Sequence, residues 1–417
     1  MLKLVAMIIA AFAGVAAQSQ VGPSIDHHHY ANQTPYGNAA AAPIKTPPKG
    51  YQLAFLETVG RHGARTLTNS GAERRSLSVW KRAAGQYATT SLGNRFAKDL
   101  RVFQQAEQRV GYGNLSTIGA AEWRGIGRRT ADSYRTFLAE ATAAGDEVEF
   151  KTSGVQRTVD SAEAMESGLA AGIPGLKAAP YAFDPARLLI GNGASFAGND
   201  AVEKILDSPE VAAASQRLLG RLYDKAFVDS LEDPVAAALD VYLLYCTAPG
   251  MRADSGVTFD PYVSLEDAKV LAYAIDAKNF YRYGPGVKGE PNSYQATKPL
   301  LRDFFAQLDK RLKGGDTAAV FRLAHGETTM PFAALLQLPG SGEQAPKREV
   351  FTYADNPWRG HVAGRLAGNI EWAAYRDRSG KALVTVRHNE RPVKLQKSCR
   401  ATVPFFYRPA ELKRCLG

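Results

Sequence analysis

The chain has 417 residues, 45% of them hydrophobic and 22% charged, which supplies a substantial core for one large or two moderate domains. Its formal charge of +10 favours an anionic partner, but no long Lys/Arg run or nucleic-acid-binding motif occurs. The basic balance is therefore read as a surface and cleft that attract phosphorylated small molecules in preference to nucleic acid.

Lys3 precedes an apolar run over residues 4–12 and the small residues Val15-Ala16-Ala17, the pattern of a secretory signal peptide over residues 1–17. That run is short for a membrane span, and no later stretch is long and apolar enough to be one. Removing the signal deletes Lys3 and no acid, leaving +9. The remainder is expected to be secreted or periplasmic, without a lipid anchor, since no Cys follows the cleavage site. Residues 18–50 are rich in Ala, Pro, Gly and Asn and read as an extended arm. Within it, His27-His28-His29 are adjacent and do not converge tetrahedrally, so Asp26 to Tyr30 read as a mobile polar segment and not a metal site.

Residues 53–59 read as a strand. The pentapeptide Arg61-His62-Gly63-Ala64-Arg65 follows it. Guanidinium groups stay charged and grip phosphate oxygens in a planar fork. Like charge pushes an imidazole between them toward the neutral form that a nucleophile needs. Gly63 permits a sharp turn where a ligand approaches. Taken alone, such a cluster more often describes a solvated basic loop.

The same grammar recurs twice. Residues 147–152 read as a strand that ends in Ser153-Gly154-Val155-Gln156-Arg157, with a helix over 159–169. Residues 320–324 form an apolar run followed by His325-Gly326-Glu327 and a helix over 331–338. Three such units collect Arg61, His62, Arg65, Arg157, His325 and Glu327 along one sheet edge, and open α/β sheets bind ligands outside the carboxyl ends of their strands. Arg157 at a helix start opposes the helix dipole, a penalty that a bound phosphate removes.

Between these motifs the chain is largely helical. Residues 77–87, 96–110 and 120–144 fit helices, with Ser116 or Thr117 as an N-cap. Arg124, Arg128 and Arg129 read as a solvated face. Residues 211–222, 234–245 and 264–280 give helices of an α-helical cap over 185–300, closed by the turn Tyr281 to Gly286. A further strand covers 382–387. Cys399 and Cys415 are expected to bridge, and Cys246 to be a buried free thiol, with exchange of partners left open. His361 and His388 have no chemical context and read as structural or exposed.

The pentapeptide, the stretch Thr152 to Thr158 and His325-Gly326-Glu327-Thr328 together resemble the histidine acid phosphatases over residues 50–415. The His-x-Glu-Thr form resembles the multiple inositol-polyphosphate phosphatase branch, which usually carries Ala where this chain has Gly326. Thr34-Pro35-Tyr36, the segment Gly113 to Gly119 (with Ser116 for Thr), residues 265–286 and Asn389 to Val393 are similar to the same family. The resemblance implies an α/β fold, a phosphoglycerate-mutase-like sheet flanked by helices. The phosphatase domain would span 51–184 and 301–417, with the inserted cap at 185–300.

It also implies roles. Arg61, Arg65 and Arg157 would hold the phosphoryl oxygens and His62 would attack phosphorus. His325 would contact the equatorial oxygens, and Glu327 would protonate the leaving oxygen. Neither cofactor nor metal is implied, since the arginines supply the charge. The expected activity is phosphomonoester hydrolysis, with inositol hexakisphosphate the preferred substrate. A broad acid or sugar phosphatase and a weakly active phosphate-ester binding protein are the alternatives. A mutase fits poorly with export.

Overall fold

The computed structural model describes residues 28–37, 41–176, 178–190, 197–290, 293–396 and 398–417; the expected signal peptide, Asp26 and His27 lie outside them. Among the described residues seven strands form one sheet: β1 Gln52–Arg61, β2 Glu147–Thr152, β3 Ala182–Phe183, β4 Thr317–Ala324, β5 Asn369–Arg376, β6 Ala382–His388 and β7 Arg391–Val393. Their order is β3-β2-β4-β1-β5-β6-β7. The strands β3, β2, β4 and β1 are mutually parallel, whereas β5 runs against β1. The register pairs Arg61 with Ala324 and Thr152 with Leu323, so the ends of β1, β4 and β2 finish level and side by side. This is the arrangement that the three motif-bearing strands require.

Successive side chains of β1 alternate between two cores, as a strand covered on both faces must. Phe55 and Val59 pack with Phe304, Phe332 and Trp372 beneath the helices Lys298–Leu312 and Gly326–Leu335. Leu56 packs with Trp123, Phe150 and Met165 beneath the helices Thr117–Ser133 and Gln156–Gly172. These last two helices touch backbone to backbone. A Cβ on Gly127 would lie 2.2 Å from Met165 O, and one on Gly168 would lie 2.1 Å from Arg124 O. A third core holds Phe96, Phe103, Leu218, Tyr242, Phe259 and Phe280. It joins the helices Gly71–Gly85 and Ser91–Val110 to Pro209–Leu222, Pro234–Ser255 and Leu265–Arg282.

Several elements differ from the sequence reading, each for a local reason. The helix expected over 120–144 breaks at Tyr134, whose buried hydroxyl donates to Glu371 Oε1 at 2.5 Å. The helix expected from 331 begins at Gly326, with His325 O accepting from Thr328 N and Thr329 N at 3.0 Å and Pro331 costing only one intrahelical bond. The helix begun at Pro234 continues to Ser255 through Pro249. Ser116, not Thr117, is the cap that accepts from Gly119 N, at 3.0 Å. Arg129 is not solvated like Arg124 and Arg128: its guanidinium pairs with Glu390 at 2.7 Å. The expected apolar run at 320–324 contains Arg322, which is fully buried because Asp303 (2.7 Å) and Glu57 (3.1 Å) neutralise it.

Residues His28 to Tyr30 are docked and not a mobile segment. Tyr245 and Tyr242 donate to His28 O and His29 O, both at 2.6 Å, and Tyr30 is buried against Tyr245. His388 is buried. Cys399 and Cys415 form a disulfide across 16 residues, and Cys246 is a buried free thiol. Replacing both bridged cysteines with Ser is expected to lower stability by about 3 kcal/mol on the chain-entropy account. Denaturant unfolding measures the loss, and an unchanged midpoint would contradict it. Among the described residues no helix is long and apolar enough to cross a membrane.

Candidate active site

The backbone of the pentapeptide loop that leaves β1 is tied to distant partners from Arg61 to Ala64, which holds the loop in one conformation. Trp123 Nε1 donates to Arg61 O at 3.0 Å. His62 N donates to Ala324 O at 2.9 Å, and Ala367 N donates to His62 O at 3.0 Å. Gly63 N reaches Ser161 Oγ at 3.2 Å. Ala64 N donates to Glu122 Oε2 at 2.7 Å, while Ser116 caps Ala64 O through both its N–H and its hydroxyl. Glycine is obligatory at position 63, because a Cβ there would lie 2.4 Å from Gly119 O.

On this frame the six expected residues converge. The rings of His62 and His325 stand edge to face at 5.6 Å between centroids. Arg157 Nη2 lies 3.2 Å from His325 Nδ1. Arg61 is tied from behind, its Nη1 donating to Asn32 O of the N-terminal arm and to Gly364 O, both at 2.5 Å. The Nε atoms of Arg61, Arg65 and Arg157 are buried and have no hydrogen-bond partner in the protein. Unsatisfied buried donors are costly; three of them around one histidine make a receptor for an oxyanion. The helices Gly326–Leu335 and Gln156–Gly172 begin at the same edge, and their amino ends favour an anion there.

Electrostatics set the protonation states. His62 is held well below the usual histidine range, chiefly by burial and then by Arg61, Arg65 and Arg157. The like-charge argument from sequence thus names a real contribution, but the smaller one. His62 Nδ1 lies 2.9 Å from Gly63 O, a group that only accepts, so Nδ1 carries the hydrogen and Nε2 keeps its lone pair. His325 is lowered to about 4, again by burial first and then by Arg157. For Glu327, burial raises the carboxyl, but Arg61, its own backbone N–H, His325 and Arg65 outweigh it and the net shift is downward. Burial lowers Arg61 and Arg65 to about 10, which leaves both charged near neutral pH. Among the described residues no group of three or more His, Cys, Asp or Glu is placed to hold a metal ion.

The model of the histidine phosphatase superfamily (branch 2) matches residues 52–229, the stretch that holds the pentapeptide and Arg157. The multiple inositol polyphosphate phosphatase of Bifidobacterium longum, solved with inositol hexasulfate, superposes with a TM-score of 0.87 at 28% identity, over 94% of this chain and 97% of that one. Residues 52–229 thus match branch 2 of the histidine phosphatase superfamily, and the whole chain shares its fold with the Bifidobacterium longum enzyme. Two further structures share the fold. The phytase of D. castellii has a TM-score of 0.69 at 12% identity, over 96% of this chain and 88% of that one. The Hafnia alvei phytase in complex with tartrate has 0.53 at 15%, over 89% and 97%. No curated protein sequence matches the chain.

The motif that resembles the inositol-polyphosphate branch departs from it at Gly326. A Cβ at that position would lie 3.2 Å from Arg61 Nε and 3.3 Å from its Cζ. Glycine therefore relieves crowding against a guanidinium already fixed by two carbonyls. The sequence reading gave no role to Glu122, Trp123, Ser161, Ser153 and Asn32, all of which support this site. Glu122 joins the loop to the arm: its Oε2 takes Ala64 N and its Oε1 takes Tyr36 N at 2.6 Å. Only its place one turn beyond the capped Gly119 hinted at a role. Glu122→Gln puts an amide N–H against one of these donors. It is expected to lower kcat/KM by about tenfold to a hundredfold, the worth of one charge-assisted hydrogen bond. Steady-state kinetics on a folded variant test this, and wild-type values would refute it.

Proposed function

We propose that this chain is an exported phosphomonoester hydrolase that works through a phosphohistidine at His62 and prefers inositol polyphosphates. The observation that carries the reading is the set of three buried, unpartnered arginine Nε donors around an imidazole whose Nε2 is free of hydrogen. Arg61, Arg65 and Arg157 bind the phosphoryl oxygens, and the helix amino ends add to the field. His62 Nε2 attacks phosphorus, and Glu327, at the first turn of its helix, gives a proton to the departing alcohol oxygen. Glu327 then takes a proton from the water that releases phosphate and restores His62.

Residues 51–184 and 301–417 supply this chemistry, and the cap at 185–300 walls the side where the leaving group lies. A cavity of about 320 Å³ opens beside Arg65, between Gln33 of the arm, Thr68 and Asn69 of the loop, Arg75 of the helix Gly71–Gly85, and Thr247 of the helix Pro234–Ser255. Arg75 is paired with Asp240 at 2.5 Å, so Arg65 carries the uncompensated charge. A polyol ring bearing several phosphates suits a cationic, hydroxyl-lined cavity of this kind. The inositol hexasulfate complex of the Bifidobacterium longum relative supports the choice. Export is supported by residues 1–17 and by the disulfide, which belongs to oxidising compartments. Phosphate release from inositol hexakisphosphate, compared with that from an aryl phosphate, tests the assignment. A higher kcat/KM for the aryl ester would replace it with a broad acid phosphatase.

A further inference from the structure

The ring of His325 is held by a directed chain of hydrogen bonds that the catalytic reading leaves unused. Thr158 Oγ1 lies 2.7 Å from Val155 O, a pure acceptor, so the threonine hydroxyl hydrogen points there. Ser153 Oγ, 3.0 Å from Thr158 Oγ1, must then donate to it. That leaves Ser153 Oγ to accept from His325 Nε2, at 2.8 Å. On the opposite side of the ring, Arg157 Nη2 can only donate, so His325 Nδ1, at 3.2 Å, receives with its lone pair. Ser153 and Thr158 are buried, with 4% and no exposure. Water does not compete for these bonds.

We propose that Ser153 is a positioning residue that locks the hydrogen of His325 on Nε2, so that Nδ1 meets the phosphoryl group as an acceptor and the site takes up an oxyanion only together with one proton. The proposal rests on the phosphoryl-site reading above and names the ionic form of the ligand: a monoprotonated phosphomonoester, or a dianion plus a proton from solvent. The proton sits between Nδ1 and an oxyanion oxygen, while Arg157 turns from the imidazole to the anion. Arg157 from its helix, Arg61 and Arg65 from the loop, and His62 at 5.6 Å all face this ring, with Glu327 on its own helix. The cations keep His325 neutral in the free protein, so the added proton arrives with the anion.

Sulfate provides the probe, because it stays dianionic across the working range and brings no proton of its own. Its Kd for the wild-type protein is expected to weaken about tenfold per pH unit between pH 5 and 7, the slope for one proton taken up. Calorimetry in buffers of differing ionisation enthalpy counts that proton directly. Ser153→Ala frees the ring to carry its hydrogen on Nδ1, so its slope is expected to fall toward zero; Ser153→Thr restores it. Glu327→Gln keeps the slope. A flat wild-type profile, a slope retained in Ser153→Ala, or a slope lost in Glu327→Gln overturns the proposal. Should Ser153→Ala not fold, imidazole ¹⁵N shifts of the wild-type protein decide, since a hydrogen on Nδ1 of His325 contradicts the lock. Failure to bind sulfate at all would remove the phosphoryl-site reading itself, whereas binding without proton uptake removes only this one.

Discussion

His62→Ala is expected to abolish turnover of every phosphomonoester, with kcat falling by roughly 10⁴- to 10⁶-fold, as when a nucleophile that acts with its neighbours as a unit is lost. The size of the effect follows from the geometry. The imidazole is buried and its Nδ1 is committed to Gly63 O, which leaves Nε2 open, whereas both ring nitrogens of His325 are engaged, Nε2 by Ser153 and Nδ1 by Arg157. Quenching the wild-type protein during turnover of a labelled substrate, then mapping the label, is expected to find it on His62. Label on His325, or substantial residual activity in a clean His62→Ala preparation, would sink the nucleophile assignment.

Glu327→Gln is expected to separate substrates by leaving group. An alkyl or inositol phosphate needs its departing oxygen protonated, and losing the acid costs about 10²- to 10⁴-fold. An aryl phosphate with an acidic phenol leaves unaided and loses far less. In the free protein the carboxyl lies below its usual range, because Arg61 and the neighbouring donors outweigh burial. The protonated fraction therefore shrinks as pH rises. For the wild-type protein, kcat/KM with the poor leaving group should fall more steeply with rising pH than with the activated ester. Glu327→Gln should erase that difference. Equal losses on both substrates, with unchanged pH profiles, would deny Glu327 the role of acid.

Both variants test side chains that a reader of the sequence singles out, and the reason is local. A strand, one polar cluster and a helix leave a mark within about a dozen consecutive residues, and this chain carries the mark three times. The strand β2, the Ser153–Arg157 stretch and the helix after it were visible for that reason, as was β1 with its pentapeptide. Where a local rule met a tertiary contact, the contact won. Tyr134 ends a helix that its neighbours would continue, because Glu371 lies across the sheet. Arg322 sits in a strand read as apolar because two carboxylates from elsewhere meet it. The first described residues of the arm are docked because Tyr242 and Tyr245 reach their carbonyls.

Residue types and their order along the chain were enough to mark the cationic cluster and the cysteine pair, and the family resemblance of the motifs added the proposed nucleophile, acid and helical cap, since each depends on chemistry carried by a side chain or on short-range pattern. Only the tertiary structure decided how the cluster is held and which ring nitrogens are free. Glu122 grips Ala64 across 58 residues, and Ser161 takes Gly63 N across 98. His325 is oriented by a serine 172 positions earlier. These partners meet through backbone groups, which every residue has and no motif advertises. The chain's covalent order cannot show them; the level ends of β1, β4 and β2 bring them into reach.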